Sequence, residues 1–104
     1  MHIPIDKIEI PDEKITDYLL VQKEKNDKSE FLNRLGYTAE RWKELVTDIK
    51  KIVAENEAQL QQQTPFGDMY EVKGELRGFG IVTIWLLAVD LEHYRFITLF
   101  PDKK

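Results

Sequence analysis

Ile81-Val-Thr-Ile-Trp-Leu-Leu-Ala-Val89 is apolar at every position but one, and most of its residues are β-branched or aromatic. A strand with one wet face alternates apolar and polar side chains. This one does not, so both of its faces require cover. The segment reads as the central strand of a sheet and the organiser of the fold. Tyr94-Arg-Phe-Ile-Thr-Leu-Phe-Pro101 reads as its neighbour, and Pro101 ends pairing.

The rest of the chain supplies what must cover that strand. Ile8-Glu9-Ile10, flanked by Pro4 and Pro11, reads as a short edge strand. Asp12 offers an N-cap, and Ile15, Tyr18 and Leu19 at helical spacing predict a first helix near residues 13–21. After a polar loop over 22–27, Phe31, Leu32 and Leu35 mark a second helix that stops at Gly36. Thr38 is the expected N-cap of a third, over Ala39–Gln61. Its apolar stripe is Trp42, Leu45, Ile49, Ile52 or Val53, and Leu60, opposite the charged face of Lys43, Asp48, Lys51 and Glu55. Gln61–Pro65 is expected to fray the end of that helix.

Phe66-Gly67-Asp68 then turns into a half-exposed strand. There Tyr70, Val72 and Leu76 alternate with Glu71, Lys73, Glu75 and Arg77, and Gly74 marks a bulge or a close approach. Gly78-Phe-Gly80 and residues 90–93 supply the next two turns. The expected fold is a single α+β domain over residues 1–104. Three N-terminal helices pack on a three- to four-stranded antiparallel meander, with the N-terminal strand as the optional fourth. If Val89 pairs with Tyr94, Leu87 lies opposite Phe96 and Trp85 opposite Thr98. Helices cover one face of Ile81–Val89; the other needs the N-terminal segment or another subunit, and a homodimer is the favoured expectation.

Composition narrows the function classes. The 104 residues suit one core without staples, and the absence of cysteine excludes thiolate metal sites, cysteine nucleophiles and disulfides. A net charge of −4 with interspersed signs lacks the basic stripe that captures phosphate backbones. The N-terminus has no signal-peptide pattern, and the longest apolar run is too short for a membrane helix. The chain is expected to be cytoplasmic, without membrane, metal or cofactor.

The titratable candidates are few. His93 is the histidine outside the terminus and the side chain best matched to acid–base work at neutral pH, or it is a polar turn residue. Arg95 and Arg77 can hold a phosphate or carboxylate with a planar fork. Cross-strand pairing accounts for Arg77 among Glu71, Lys73 and Glu75, and Glu92 lies near Arg95 in sequence. Thr83, Trp85, Phe96 and Thr98 either floor a shallow pocket or belong to the core with their hydroxyls bonded locally. Lys23, Lys25 and Lys28 interleave with acids as a solvated loop does. No phosphate loop, zinc helix or nucleophile elbow is present.

Lys14-Ile-Thr-Asp-Tyr-Leu-Leu20, Lys28-Ser-Glu-Phe31 and Leu35-Gly-Tyr37 resemble an uncharacterised bacterial family whose members read K-L-x-x-Y-L-L-N-P, K-A-K-F-F and L-G-F. Its strands Y-x-V-x-G-x-L, V-R-T-x-W and T-A-Y-P are similar to Tyr70-Glu-Val-Lys-Gly-Glu-Leu76, Ile81-Val-Thr-Ile-Trp85 and Thr98-Leu-Phe-Pro101. Such domains also look like C-terminal modules of polymorphic toxins. The resemblance implies, by analogy, a fold similar to the barnase, colicin and RelE-like ribonucleases.

Departures from the pattern weaken the activity it implies. Val21-Gln22 stands for N-P, Glu30 for the second basic residue of K-A-K, and Val82 for the arginine of V-R-T. Lys28, Trp85 and Thr98 match. The expected function is therefore a non-catalytic binding or interaction module with a toxin-like fold, its partner a protein or a second copy of itself. Trp85, Thr98 and Arg77 are the binding candidates. The alternative is a metal-independent ribonuclease acting on RNA, with His93, Arg95 and Lys28 as proton-transfer or phosphate groups.

Overall fold

The computed structural model describes residues 1–13, 15, 28–88 and 93–102. Five strands form one mixed sheet: β1 (Ile8–Glu9), β2 (Ala58–Thr64), β3 (Gly67–Leu76), β4 (Phe79–Ala88) and β5 (Tyr94–Pro101), in the order β1-β5-β4-β3-β2. Strands β2 to β5 form an antiparallel meander, and β1 lies parallel to β5, with Ile8 beside Tyr94 and Glu9 beside Arg95. Helix α1 (Lys28–Arg34) is two turns long; α2 (Trp42–Glu55) is the one long helix among the described residues.

The expectation of three N-terminal helices on a three- to four-stranded antiparallel sheet is corrected by this architecture. Strand content dominates, the sheet has five strands, and one pairing is parallel. Most of the helix expected near 13–21, the loop over 22–27 and most of the turn over 90–93 lie outside the described residues; Ile15 is buried in the core. The largest error concerns Ala39–Gln61. Ala39–Arg41 is a 3-10 turn, with no side-chain cap from Thr38, and α2 ends at Glu55. Asn56 is extended, and both its backbone N–H and its side-chain amide donate to the Ile52 carbonyl, at 3.1 and 2.9 Å. With that carbonyl satisfied, the chain leaves the helix and pairs with β3.

Pattern and packing agree within α2. Leu45, Ile49, Ile52 and Val53 are buried on one stripe, while Lys43, Lys50, Lys51 and Glu55 are exposed. This stripe packs on the face of β3 that carries Val72, Gly74 and Leu76. Gly74 permits the approach, since a Cβ there would lie 2.7 Å from Ile52 Cγ2. The N-terminal segment joins the same face. The Met1 carbonyl accepts a hydrogen bond from Ala58 N–H at the start of β2, and Ile8 pairs with β5 at the far side of the sheet. Ile3 is buried in the core beneath that crossing.

Strand β4 is buried on both faces, as its composition requires. Ile81, Thr83, Trp85 and Leu87 face the core; Val82 and Ile84 on the other face are 4% and 5% exposed. Those two lie between Lys73 and Glu71 of β3 and Phe100 and Thr98 of β5. A second subunit is therefore not required to shield them. The register differs from expectation: Leu87 pairs with Tyr94, Trp85 with Phe96 and Ile84 with Thr98, with Ile97 as an extra residue in β5. The β3–β4 turn comes one residue earlier than Gly78–Gly80. Arg77 and Gly78 are its central residues, with φ of 51° and 89°, as a tight hairpin demands.

Candidate functional site

The most organised polar cluster joins α1, α2 and the β3–β4 turn. Helix α1 closes with Tyr37 N–H donating to the Leu32 carbonyl across Gly36, whose φ is 95°. This directs Tyr37 into the core, where its hydroxyl donates to Asp48 Oδ2 of α2 at 2.5 Å. Burial pushes the Tyr37 phenol above its ordinary range, and the Asp48 carboxylate adds to the shift while Arg77 opposes it. The Arg77 guanidinium lies over the Tyr37 ring at 4.2 Å from its centroid. Its Nη1 donates to the Leu35 carbonyl at 2.6 Å and its Nη2 to Glu44 Oε1 at 3.3 Å. Arg77 is thus a clasp between layers, its donors directed at groups of the protein itself.

Beside the clasp lies an open groove of about 920 Å³. Lys51, Lys73 and Arg77 line it together with Glu55, Glu75 and Asp102. The interleaved signs give no concentrated field for an anion or a cation. Among the described residues no three His, Asp or Glu side chains come together as a metal site.

The remaining sequence candidates are dispersed. His93 is exposed immediately before β5. Arg95 is exposed on β5, its Nη1 3.9 Å from Glu9 Oε1 of β1. Lys28 opens α1, which docks at the opposite end of the sheet through an edge-to-face contact of Phe31 with Phe79 at 6.3 Å. From Phe79 to Leu87, the partner of Tyr94, β4 spans roughly 26 Å at about 3.3 Å per residue. His93 and Lys28 therefore start from opposite ends of one strand's length. Thr98 is half-buried on the face away from α2, its Oγ1 donating to the Leu99 carbonyl at 3.4 Å. Trp85 is fully buried against Phe96, with ring centroids 5.4 Å apart. Its indole N–H donates to Thr83 Oγ1 at 2.9 Å, and Thr83 in turn donates to the Val72 carbonyl at 2.9 Å. Trp85 is core, with no surface to offer a ligand.

One surface feature escaped the sequence reading. Strand β2 is one of the two outer strands of the sheet, and Gln59 through Gln63 are exposed. Leu60 is 51% exposed on it, and Phe66 in the following turn is 77% exposed. From Ala58 to Gly67 no residue is charged, in a chain that is 33% charged. That run was the available signal, but assigning it to a fraying helix end hid its meaning.

Fold and surface together define a small α+β sheet protein with a clasped core and a neutral outer strand. Residues 3–103 match the family described as Domain of unknown function (DUF6883), and the chain belongs to it. No curated protein and no solved structure matches the chain. No helix among the described residues is long and apolar enough to cross a membrane.

Proposed function

We propose that this domain is a non-catalytic binding module that engages a protein partner through β2 and the turn that follows it. The observation that carries the reading is the uncharged run Ala58–Gly67, of which Gln59–Gln63 are exposed on an outer strand and Phe66 is exposed in the turn that follows. Outer strands present unpaired N–H and C=O groups, and proteins commonly blunt them with lysine or proline. Strand β2 contains neither; the Met1 carbonyl covers the Ala58 N–H at its start, and the bulge at Gln61 interrupts it between Leu60 and Gln62. Exposed aromatic and aliphatic side chains set among neutral amides suit a protein surface better than a nucleic acid, which would call for cations.

A toxin-like fold is supported by the motif resemblance, and in this reading the domain keeps such a fold without toxin activity. The ribonuclease alternative requires His93, Arg95 and Lys28 to act on one phosphate. The separation of Lys28 from His93 and Arg95 along the sheet, and the pairing of Arg95 with Glu9, weigh against it.

The test uses the full chain as bait, beside a Leu60→Lys/Phe66→Lys variant and a His93→Ala variant. The expected result is a protein retained by the wild type and by His93→Ala but lost from the double variant. Cleavage of single-stranded RNA by the wild type, abolished in His93→Ala, would overturn the reading in favour of the enzyme.

A further inference from the structure

We infer that the partner engaged by β2 is a second copy of this chain, joined antiparallel about a two-fold axis at Gln63; this deepens the binding reading and rests on it. An isologous contact needs a patch complementary to itself, and this one is. Leu60 and Phe66 stand three residues to either side of Gln63. An antiparallel approach centred there sets Leu60 toward Phe66 of the second copy, Gln62 beside its Thr64 and Gln63 beside its Gln63. Glutamine amides both donate and accept, so each can satisfy its own kind.

Charge favours the same occupant. Two copies each carrying −4 repel, and a contact between them must avoid bringing like charges together. Ala58–Gly67 is the longest uncharged run outside the one that holds the buried central strand, so a copy meeting it with the same run places no charge opposite another. An acidic or basic peptide would gain nothing from this edge. The other outer strand, β1, is two residues long, carries Glu9 and lies between Pro4 and Pro11, so it is poorly suited to pairing. The bulge at Gln61 leaves only Gln62–Thr64 for a regular ladder, so Leu60 and Phe66 supply much of the contact and the association is reversible.

Sedimentation of the full chain across a wide concentration range tests this. The expected result is a mean mass rising from monomer toward twice that value, more readily at high salt because the −4 charges are then screened. Gln63→Lys places like charges together at the axis, and Phe66→Lys removes an apolar anchor; each should hold the protein as monomer while circular dichroism shows it folded. Because the chain has no cysteine, Gln63→Cys should also form a covalent dimer under mild oxidation, far faster than Asn33→Cys on α1. A wild type that stays monomeric, or a dimer indifferent to both lysines, overturns the inference. If the monomeric protein still captures another protein through Leu60 and Phe66, the binding reading stands and the second copy is excluded.

Discussion

Arg77 lies over the Tyr37 ring, 4.2 Å from its centroid, while donating to the carbonyl of Leu35, two residues before that tyrosine. One side chain therefore fixes both the aromatic ring and the backbone of the α1–α2 connection. Arg77→Ala removes the ring contact, the 2.6 Å hydrogen bond and the Glu44 pair. The guanidinium is partly exposed, so the expected loss is about 2 kcal/mol, read as a lower urea midpoint at unchanged slope. Because φ at position 77 is 51°, Arg77→Gly should be less damaging than Arg77→Ala, by about 1 kcal/mol.

The same tyrosine gives the fold a pH dependence at its alkaline limit. Tyr37 has its folded-state pKa raised above the ordinary value near 10, chiefly by burial and then by Asp48. Above that value the unfolded chain loses the phenolic proton while the folded chain keeps it. The folded state then binds more protons, so stability falls as pH rises. The contribution is complete below about pH 10 and declines above it. Tyr94, shifted the same way by burial and by Tyr70 and Asp68, adds to the decline. Melting curves on either side of that pH should show a smaller loss for Tyr37→Phe than for the wild type.

Legibility differed sharply between α2 and β2. The stripe from Trp42 to Val53 identified a helix because its period is local. Leu60 lies seven residues beyond Val53, so it continues the helical period, and glutamine is a good helix former. Nothing in residues 58–64 opposed a helix. Pairing with β3 decided the matter, an interaction between segments that local propensity does not report. The alternation in β3 was legible for the opposite reason: its two faces differ chemically. Arg77 followed that alternation in sequence, and only the positive φ of the turn takes it out of the strand and onto Tyr37.

Gly74 sets the distance between α2 and the sheet. A Cβ there would lie 2.7 Å from Ile52 Cγ2 and 3.0 Å from the Asn56 amide. Gly74→Ala should therefore cost about 1–3 kcal/mol as overpacking, seen in thermal or urea unfolding. Ile52→Ala vacates the space, so the double variant should be less destabilised than the sum of the two singles.

Arg95 supplies the contrasting case. Its ion pair with Glu9 spans 3.9 Å, with both side chains more than half exposed. Arg95→Ala should change stability by no more than about 0.5 kcal/mol, and added salt should erase the difference. A larger, salt-resistant loss would show that β1 depends on this pair for its place beside β5.

Among the described buried residues Thr83 alone is neither apolar nor aromatic, and its hydroxyl is bonded on both sides. Its hydroxyl donates to the Val72 carbonyl and accepts from the Trp85 indole, linking β3 to the aromatic centre of the core. Thr83→Val preserves the shape but leaves a buried indole N–H without an acceptor, at a cost of about 1–3 kcal/mol. Trp85→Phe in that background removes the orphaned donor along with some packing. The pair should therefore couple: Trp85→Phe should cost less in the Thr83→Val background than in the wild type. Equal costs in the two backgrounds, measured by urea unfolding, would mean that the indole bond adds nothing to the stability of the core.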